Sequence, residues 1–480
     1  MRTDAFADPT FMVHVAMLGW FPLCMAFFVA LGAVRGAILG LIVGLFVLPN
    51  AAYDFQGLPP YDKMMAVCVG VAVAAMIFDS KRIFAFRPRW IDLPVAVFCS
   101  APFVSAVANG EMGAWFGLSE SFGIFVTWGV PWILGRVYLT TPAALRWFAV
   151  CFVGAALVYL PFCAWEIKMS PRLHEVVYGI KLKSFKHAIR SLGWRPNVFL
   201  EHGLMAAMVI AMATLTAFWM WIAGVKRRVC GVPMLLVVAL LALLTLAAQS
   251  SGALLMLAAG VGCLVLARSM RWSFPLALLV LLPVVYVGVR HGLEWQGEEL
   301  VETAEALFGE RRANSLQYRL DNENVLTARA KQKPWLGWGA IASFTGNVSE
   351  EGHRAIIDSM WTVLIGVYGY LGLCGAFATL LLAPFLVWRR LPVRLWGDPR
   401  FALLAVFGVI LTLYAADCLL NSFPNPIFVA AAGGVSHALG TRGGLHPWIA
   451  PVRGRRIAAR VRARPALAPA AASIRTETQS

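Results

Sequence analysis

GEELVETAEALFGERRANSLQYRLDNENVLTARAKQKPWLGWG (Gly297–Gly339) is the centre of a polar run from Arg290 to Arg354, and the chain on both sides of it is apolar. Its Glu, Ala, Leu and Arg content, with no proline before Pro334, predicts a helix from about Glu298 to Lys333. Leu316, Leu320, Val325 and Leu326 fall near helical spacing, which gives that helix one face to rest on a membrane domain. The run carries eight Lys/Arg and ten Asp/Glu, so it reads as a structured cap and not as a basic tail. The rest of the chain is then the scaffold that holds this cap over a site at the membrane surface.

Of the 480 residues, 60% are hydrophobic and 14% charged, with a mean hydropathy of +0.71. Soluble domains carry about a quarter charged residues, so the composition predicts an all-α, polytopic membrane bundle. The net charge of +16 raises nucleic acid as a partner. The cations, however, sit in short loops between apolar stretches and in an Arg-rich tail, the distribution of a membrane protein. The nine cysteines lie scattered in apolar segments without a CxxC pair, so neither a disulfide framework nor a metal site is expected. MRTDAFADPTF lacks a basic n-region, and the first apolar stretch reads as a retained span.

Candidate spans are 12–32, 36–52, 64–78, 91–108, 113–134, 147–165, 203–223, 229–249, 252–267, 273–289, 357–387, 401–420 and 424–439, a count of 12 to 14 centred on 13. Lys81, Arg82, Arg87 and Arg89, then Arg136 and Arg146, Lys226–Arg228, Arg268 and Arg271, and Arg389, Arg390 and Arg394 fall in alternate loops. That places them in the cytoplasm with the tail, and the amino terminus on the outer face. The organisation is therefore a bundle over 1–289 with an outer loop at 166–202, a cap at 290–356, further spans over 357–439, and a basic tail at 440–480 whose Pro/Ala-rich end predicts disorder. The outer loop breaks the charge rule, with seven Lys/Arg against three Glu. Longer loops tolerate such charge; alternatively, some of these cations serve an anionic ligand.

No nucleotide-binding or zinc-protease signature is present. Ionisable residues inside the spans are few (Glu120, Asp417 and His14), and polar groups gather at the outer ends of spans. This favours an interfacial site over a transmembrane path.

Four ordered patterns between about 190 and 390 carry a family resemblance: GWRPNVFLEHGLMAA (Gly193–Ala207), QSSGALLML (Gln249–Leu257), SLQYRLDNENVLTARAKQKPWLGWG (Ser315–Gly339) and DSMWTVLIGVYGYLGLCG (Asp358–Gly375). In order and spacing they resemble the O-antigen ligase and O-antigen polymerase superfamily. Two departures stand out: Asp358–Ser359 occupies the family's His-Asn position, and Ser251–Gly252 replaces Ser-Arg. The resemblance implies a bacterial inner-membrane transferase that moves a glycan from an undecaprenyl-diphosphate carrier to a hydroxyl acceptor on the periplasmic face. Its partners would be that lipid-linked donor, the acceptor and membrane lipids, with no nucleic acid, metal or cofactor. The alternative from another class is a polysaccharide or lipid exporter or flippase without transferase activity.

Such a transfer needs cations for the departing diphosphate and a base for the acceptor hydroxyl. Arg195, Arg319 and Arg312 are the candidate diphosphate ligands, with Arg311 beside them. Arg319 alternatively pairs with Glu323 at i,i+4, and Arg195 alternatively anchors the interface. His202, His353 and Asp358 are the candidate catalytic groups. His202 alternatively caps a helix, and Asp358 alternatively supplies charge at a helix start. Gly337 and Gly339 turn the chain back after Pro334.

Overall fold

The computed structural model describes residues 10–110, 113–180, 188–190, 193–293, 295–346 and 358–449, with the backbone alone at 308, 311 and 312. His353, the side chains of Arg311 and Arg312, and nearly all of the basic tail lie outside the described residues.

The described chain is a helical bundle. Its helices are α1 Phe11–Leu31, α2 Ala33–Val47, α3 Lys63–Phe78, α4 Ser80–Phe84, α5 Leu93–Asn109, α6 Gly113–Ile124, α7 Val130–Tyr138, α8 Pro142–Met169, α9 Leu173–Tyr178 and α10 Gly203–Ile222. They continue with α11 Met234–Ala247, α12 Ser251–Ser269, α13 Phe274–Val287, α14 Glu298–Phe308, α15 Glu310–Ala330, α16 Ile341–Thr345, α17 Met360–Arg390, α18 Ala402–Asp417 and α19 Pro426–Gly440. Among the described residues, β structure is confined to three two-stranded hairpins, at 52–62, 189–194 and 228–233. Each of the thirteen apolar stretches is occupied by helix. Among the described residues, seven helical segments are long and apolar enough to cross a membrane, and five apolar helices are shorter. The stretch at 113–134 is built from α6 and α7 joined through a π turn at Phe125–Gly129.

Small residues let the helices approach closely. A Cβ at Gly40 would fall 2.6 Å from Val71 Cγ2 and 3.7 Å from Cys24 Sγ, and one at Gly44 would meet Trp20 and Val67. Higher numbers on α2 therefore face lower numbers on both α1 and α3, so α2 runs antiparallel to both. The same logic sets α17 against α5, through Gly375 on Phe98 and Ser105 Oγ on the Val367 carbonyl. It also sets α10 against α18, through His202 on Phe423 and Trp219 Nε1 on the Trp396 carbonyl. α10, α18 and α19 are buried nearly all round, whereas α11, α12 and α13 expose Leu236, Leu243, Leu255, Leu281 and Val285 outward. An apolar outer belt of that extent suits lipid and not water.

The expected single helix from Glu298 to Lys333 is two, broken at Gly309, whose φ of +82° lies in the left-handed region. In α15 the residues turned inward are Ala313, Leu316, Leu320, Glu323, Thr327 and Ala330, a spacing of alternating three and four residues. Val325, expected on that face, is 40% exposed. Cys230 also departs from expectation: it is exposed at a hairpin tip between Arg228–Val229 and Val232–Pro233, not within an apolar helix.

Sequence reading missed one feature of consequence. Inside α17, Gly369 has φ +64°, and the helix opens there. The Pro334–Gly339 turn fills the gap: Trp338 N–H donates to the Gly366 carbonyl (2.9 Å) and Gly339 N–H to Val367 (2.9 Å). In return Tyr370 N–H donates to the Pro334 carbonyl (2.8 Å) and Leu371 N–H to Trp335 (3.3 Å). Backbone groups freed by the break are thus satisfied by the turn, as buried backbone N–H and C=O groups require.

Candidate functional site

Polar groups converge at the end of the bundle where α10 and α17 begin and α18 ends. The connection from Cys418 to Asn425 is the hub. Met360 N–H, at the start of α17, donates to the carbonyls of Cys418 and Asn421 at 3.1 Å each. From the α15 side, Arg319 Nη1 donates to the Leu420 carbonyl (3.0 Å) and to Asn421 Oδ1 (3.4 Å). Asn421 Nδ2 in turn donates to Asp417 Oδ1 at 2.7 Å, which fixes the way the amide faces Arg319. Arg319 Nε lies 3.9 Å from Asp358 Oδ2, with the two side chains 24% and 37% exposed.

Glu323 is not the partner of Arg319. Its carboxylate is buried and accepts from Tyr286 Oη (2.8 Å), Trp361 Nε1 (3.1 Å) and the Arg290 guanidinium (3.3 Å). Burial raises the Glu323 carboxyl above the usual carboxylate range, while these three donors pull the other way. Arg290 also donates to the Leu320 carbonyl (3.0 Å) and so locks α15 onto the end of α13. Arg319, Glu323, Asp358, Ser359, Thr362 and Leu420 line a small cleft beneath α15.

On the other side of the hub, the His202 ring stacks on Phe423, with centroids 5.5 Å apart and planes at 15°. His202 Nδ1 accepts the Leu204 N–H at 3.1 Å, the capping arrangement, and is committed to that bond. Arg195 lies against the same helix start, where a Cβ at Gly203 would fall 2.6 Å from Arg195 Cδ. Its Nη2 reaches the Gln249 carbonyl at 3.4 Å. The 418–425 connection thus meets His202 through Phe423, with Arg195 against the same helix start, and meets Arg319 through Leu420 and Asn421, with Asp358 beside it.

The 166–202 segment is tied down by groups that the sequence did not single out. Buried Glu166 accepts N–H bonds from Asn197 and Val198 (2.8 Å each) and Leu173 (3.1 Å). Lys63 Nζ donates to the Phe199 carbonyl (2.6 Å), and Asn50 Nδ2 to Leu200 (3.1 Å). His174 Nε2 accepts the Asn50 N–H (2.9 Å); burial, assisted by Lys63, holds this imidazole down to about 4. Apart from Glu166 and Leu173, seven residues apart, these partners are 31 or more residues apart and leave no local spacing signal. The one legible hint was the Asp417–Asn421 pair at i,i+4.

No protein-family model matches the chain, and no curated protein matches it.

Proposed function

We propose that the protein is a membrane transferase that takes a glycan from an undecaprenyl-diphosphate carrier and passes it to a hydroxyl acceptor, as an O-antigen ligase or polymerase does. The observation that carries this reading is the 418–425 connection, which stacks on His202 beside the helix start that Arg195 packs against and bonds Arg319, with Asp358 next to it. It gathers two permanent cations, a carboxylate and an imidazole at one end of a bundle of apolar helices. The basic loops holding Lys81, Arg82, Arg227, Arg271 and Arg389 fall at the opposite end, and by the positive-inside tendency that end is cytoplasmic. The gathered polar end is then periplasmic, with α14–α16 as its cap. Arginine supplies the charge that a departing diphosphate needs. With His202 Nδ1 committed to its cap, Asp358 is the described group best placed to accept a proton or to orient the acceptor hydroxyl.

The exporter reading draws on the opened helix at Gly369, since transporters coordinate ions at such breaks. Here the turn from Pro334 to Gly339 already uses the backbone groups around the break, which favours the transferase. The test is transfer from an undecaprenyl-diphosphate oligosaccharide by protein in nanodiscs. Arg319→Ala and Arg195→Ala should each lower the rate about 100-fold, the scale of removing one charge-stabilising donor. Rates within twofold of wild type for both variants would overturn the proposal.

A further inference from the structure

Apart from the cleft under Arg319, a row of three rings runs inward from the surface where the Pro334–Gly339 turn meets α17. Trp335 is 74% exposed and packs edge-on against Tyr370, with centroids 5.5 Å apart. Tyr370 packs edge-on against His291 at 5.6 Å, and His291 is buried at 7% exposure. His291 stands in a π turn at Gly288–Gly292, a form of helix end that recurs at functional sites. Its buried Nδ1 has no hydrogen-bond partner. Among the described residues, neither the Tyr370 hydroxyl nor the Trp335 indole N–H makes a hydrogen bond. The rings are held in place by backbone, because the N–H of Tyr370 is bonded to the Pro334 carbonyl.

We propose that this row binds a sugar ring of a glycan, as a subsite separate from the diphosphate cleft. A pyranose offers an apolar C–H face for Trp335 and an outward hydroxyl for Tyr370 Oη. An acyl chain would satisfy the indole face but would leave the Tyr370 hydroxyl, which makes no hydrogen bond among the described residues, without a partner. Neighbouring Arg290 joins the two places: it donates to Glu323, which lines the cleft, while His291 turns to Tyr370. A glycan could therefore run from a diphosphate at Arg319 towards Trp335, and this part of the inference rests on the transferase reading.

Saturation-transfer NMR on the full chain in nanodiscs tests it, with maltotriose, chitotriose and mannotriose as the probes. At least one trisaccharide should give a saturable signal. Trp335→Ala, which removes an exposed side chain and whose fold the size-exclusion profile checks, should weaken that binding about tenfold. Tyr370→Phe should weaken it about threefold. Arg319→Ala should leave it unchanged, so failure of the diphosphate assignment and failure of this subsite are read separately. No saturable signal from any probe, equal affinity in Trp335→Ala, or transfer to Trp335 from lipid acyl protons alone would overturn the proposal.

Discussion

Gly369→Ala attacks the point where α17 opens to receive the Pro334–Gly339 turn. A Cβ there would run into the backbone of Trp335 and Leu336, while one at Gly337 would run into Val367 and Tyr368. Both glycines have positive φ, +64° and +67°, so a side chain at either position adds left-handed strain of about 1–2 kcal/mol. Neither backbone can yield without losing the four hydrogen bonds between turn and helix, together about 2–6 kcal/mol at the usual net value. Undocking gives up those bonds but relieves an overlap of the new Cβ with the Trp335 and Leu336 backbone at 2.3–2.5 Å, a distance no real Cβ contact holds, so the turn leaves while the surrounding helices remain packed. The assay is hydrogen exchange by mass spectrometry on the donor amides Trp338, Gly339, Tyr370 and Leu371. Their exchange should accelerate about 100-fold or more in Gly369→Ala. Gly224→Ala is the control: φ is +64° there too, but no atom lies within 4 Å of the new Cβ. It should show the strain alone and leave those four amides protected. Equal effects from the two substitutions, or unchanged exchange in Gly369→Ala, would refute the interlock.

Glu166→Ala strands three backbone N–H groups at about 1–3 kcal/mol each, and it should expose 170–202 to limited proteolysis. Glu166→Gln, with one carbonyl oxygen left, should fall between that variant and wild type. His174 gives a pH signature of fixed sign. Its folded pKa, about 4, is below its unfolded value, so its contribution is present above about pH 6.5 and is lost as pH falls towards 4. At pH 5 the loss amounts to about 2 kcal/mol, and His174→Gln, which can still accept the Asn50 N–H, should flatten that part of a melting-temperature profile.

The helical architecture was legible because its signal is local, in apolar runs of helical length and in Pro334 beyond the end of a helix, whereas the break at Gly309 was passed over. Three of the four apolar residues assigned to the inner face of the cap helix are turned inward or partly so, and Val325 is not. The fourth pattern in the sequence, Asp358–Gly375, held the helix break, yet its Gly-rich composition looks the same in an unbroken helix. Only the partner turn, some 30 residues upstream, explains why Gly369 opens. The alternative pairing of Arg319 with Glu323 is not made, for a related reason. Arg319 stands at i−4, the partner that local spacing favours, but Glu323 faces inward with Leu320 and Thr327, where Arg290 and Trp361 reach it. Arg319 is left on the neighbouring face and turns to the 418–425 connection, a contact across 101 residues that no local rule anticipates.

That placement makes Asp358 a competitor as well as a partner. Its carboxylate stands 3.9 Å from Arg319 Nε, so an anion arriving at Arg319 meets a like charge. Two charges about 4–8 Å apart interact by about 2–4 kcal/mol near a protein surface, before solvent screening. With 37% of the Asp358 side chain exposed, about 1 kcal/mol survives, or roughly fivefold in affinity. Asp358→Asn keeps the shape of the side chain and should leave the fold intact. It should tighten binding of farnesyl diphosphate to protein in nanodiscs about fivefold, while lowering transfer, because the acceptor loses its carboxylate. Binding and turnover then move in opposite directions, which a purely structural residue would not produce. If Asp358→Asn instead weakens diphosphate binding as much as Arg319→Ala does, the carboxylate serves to aim the guanidinium and takes no part with the acceptor. The proton would then have to pass to a group other than Asp358.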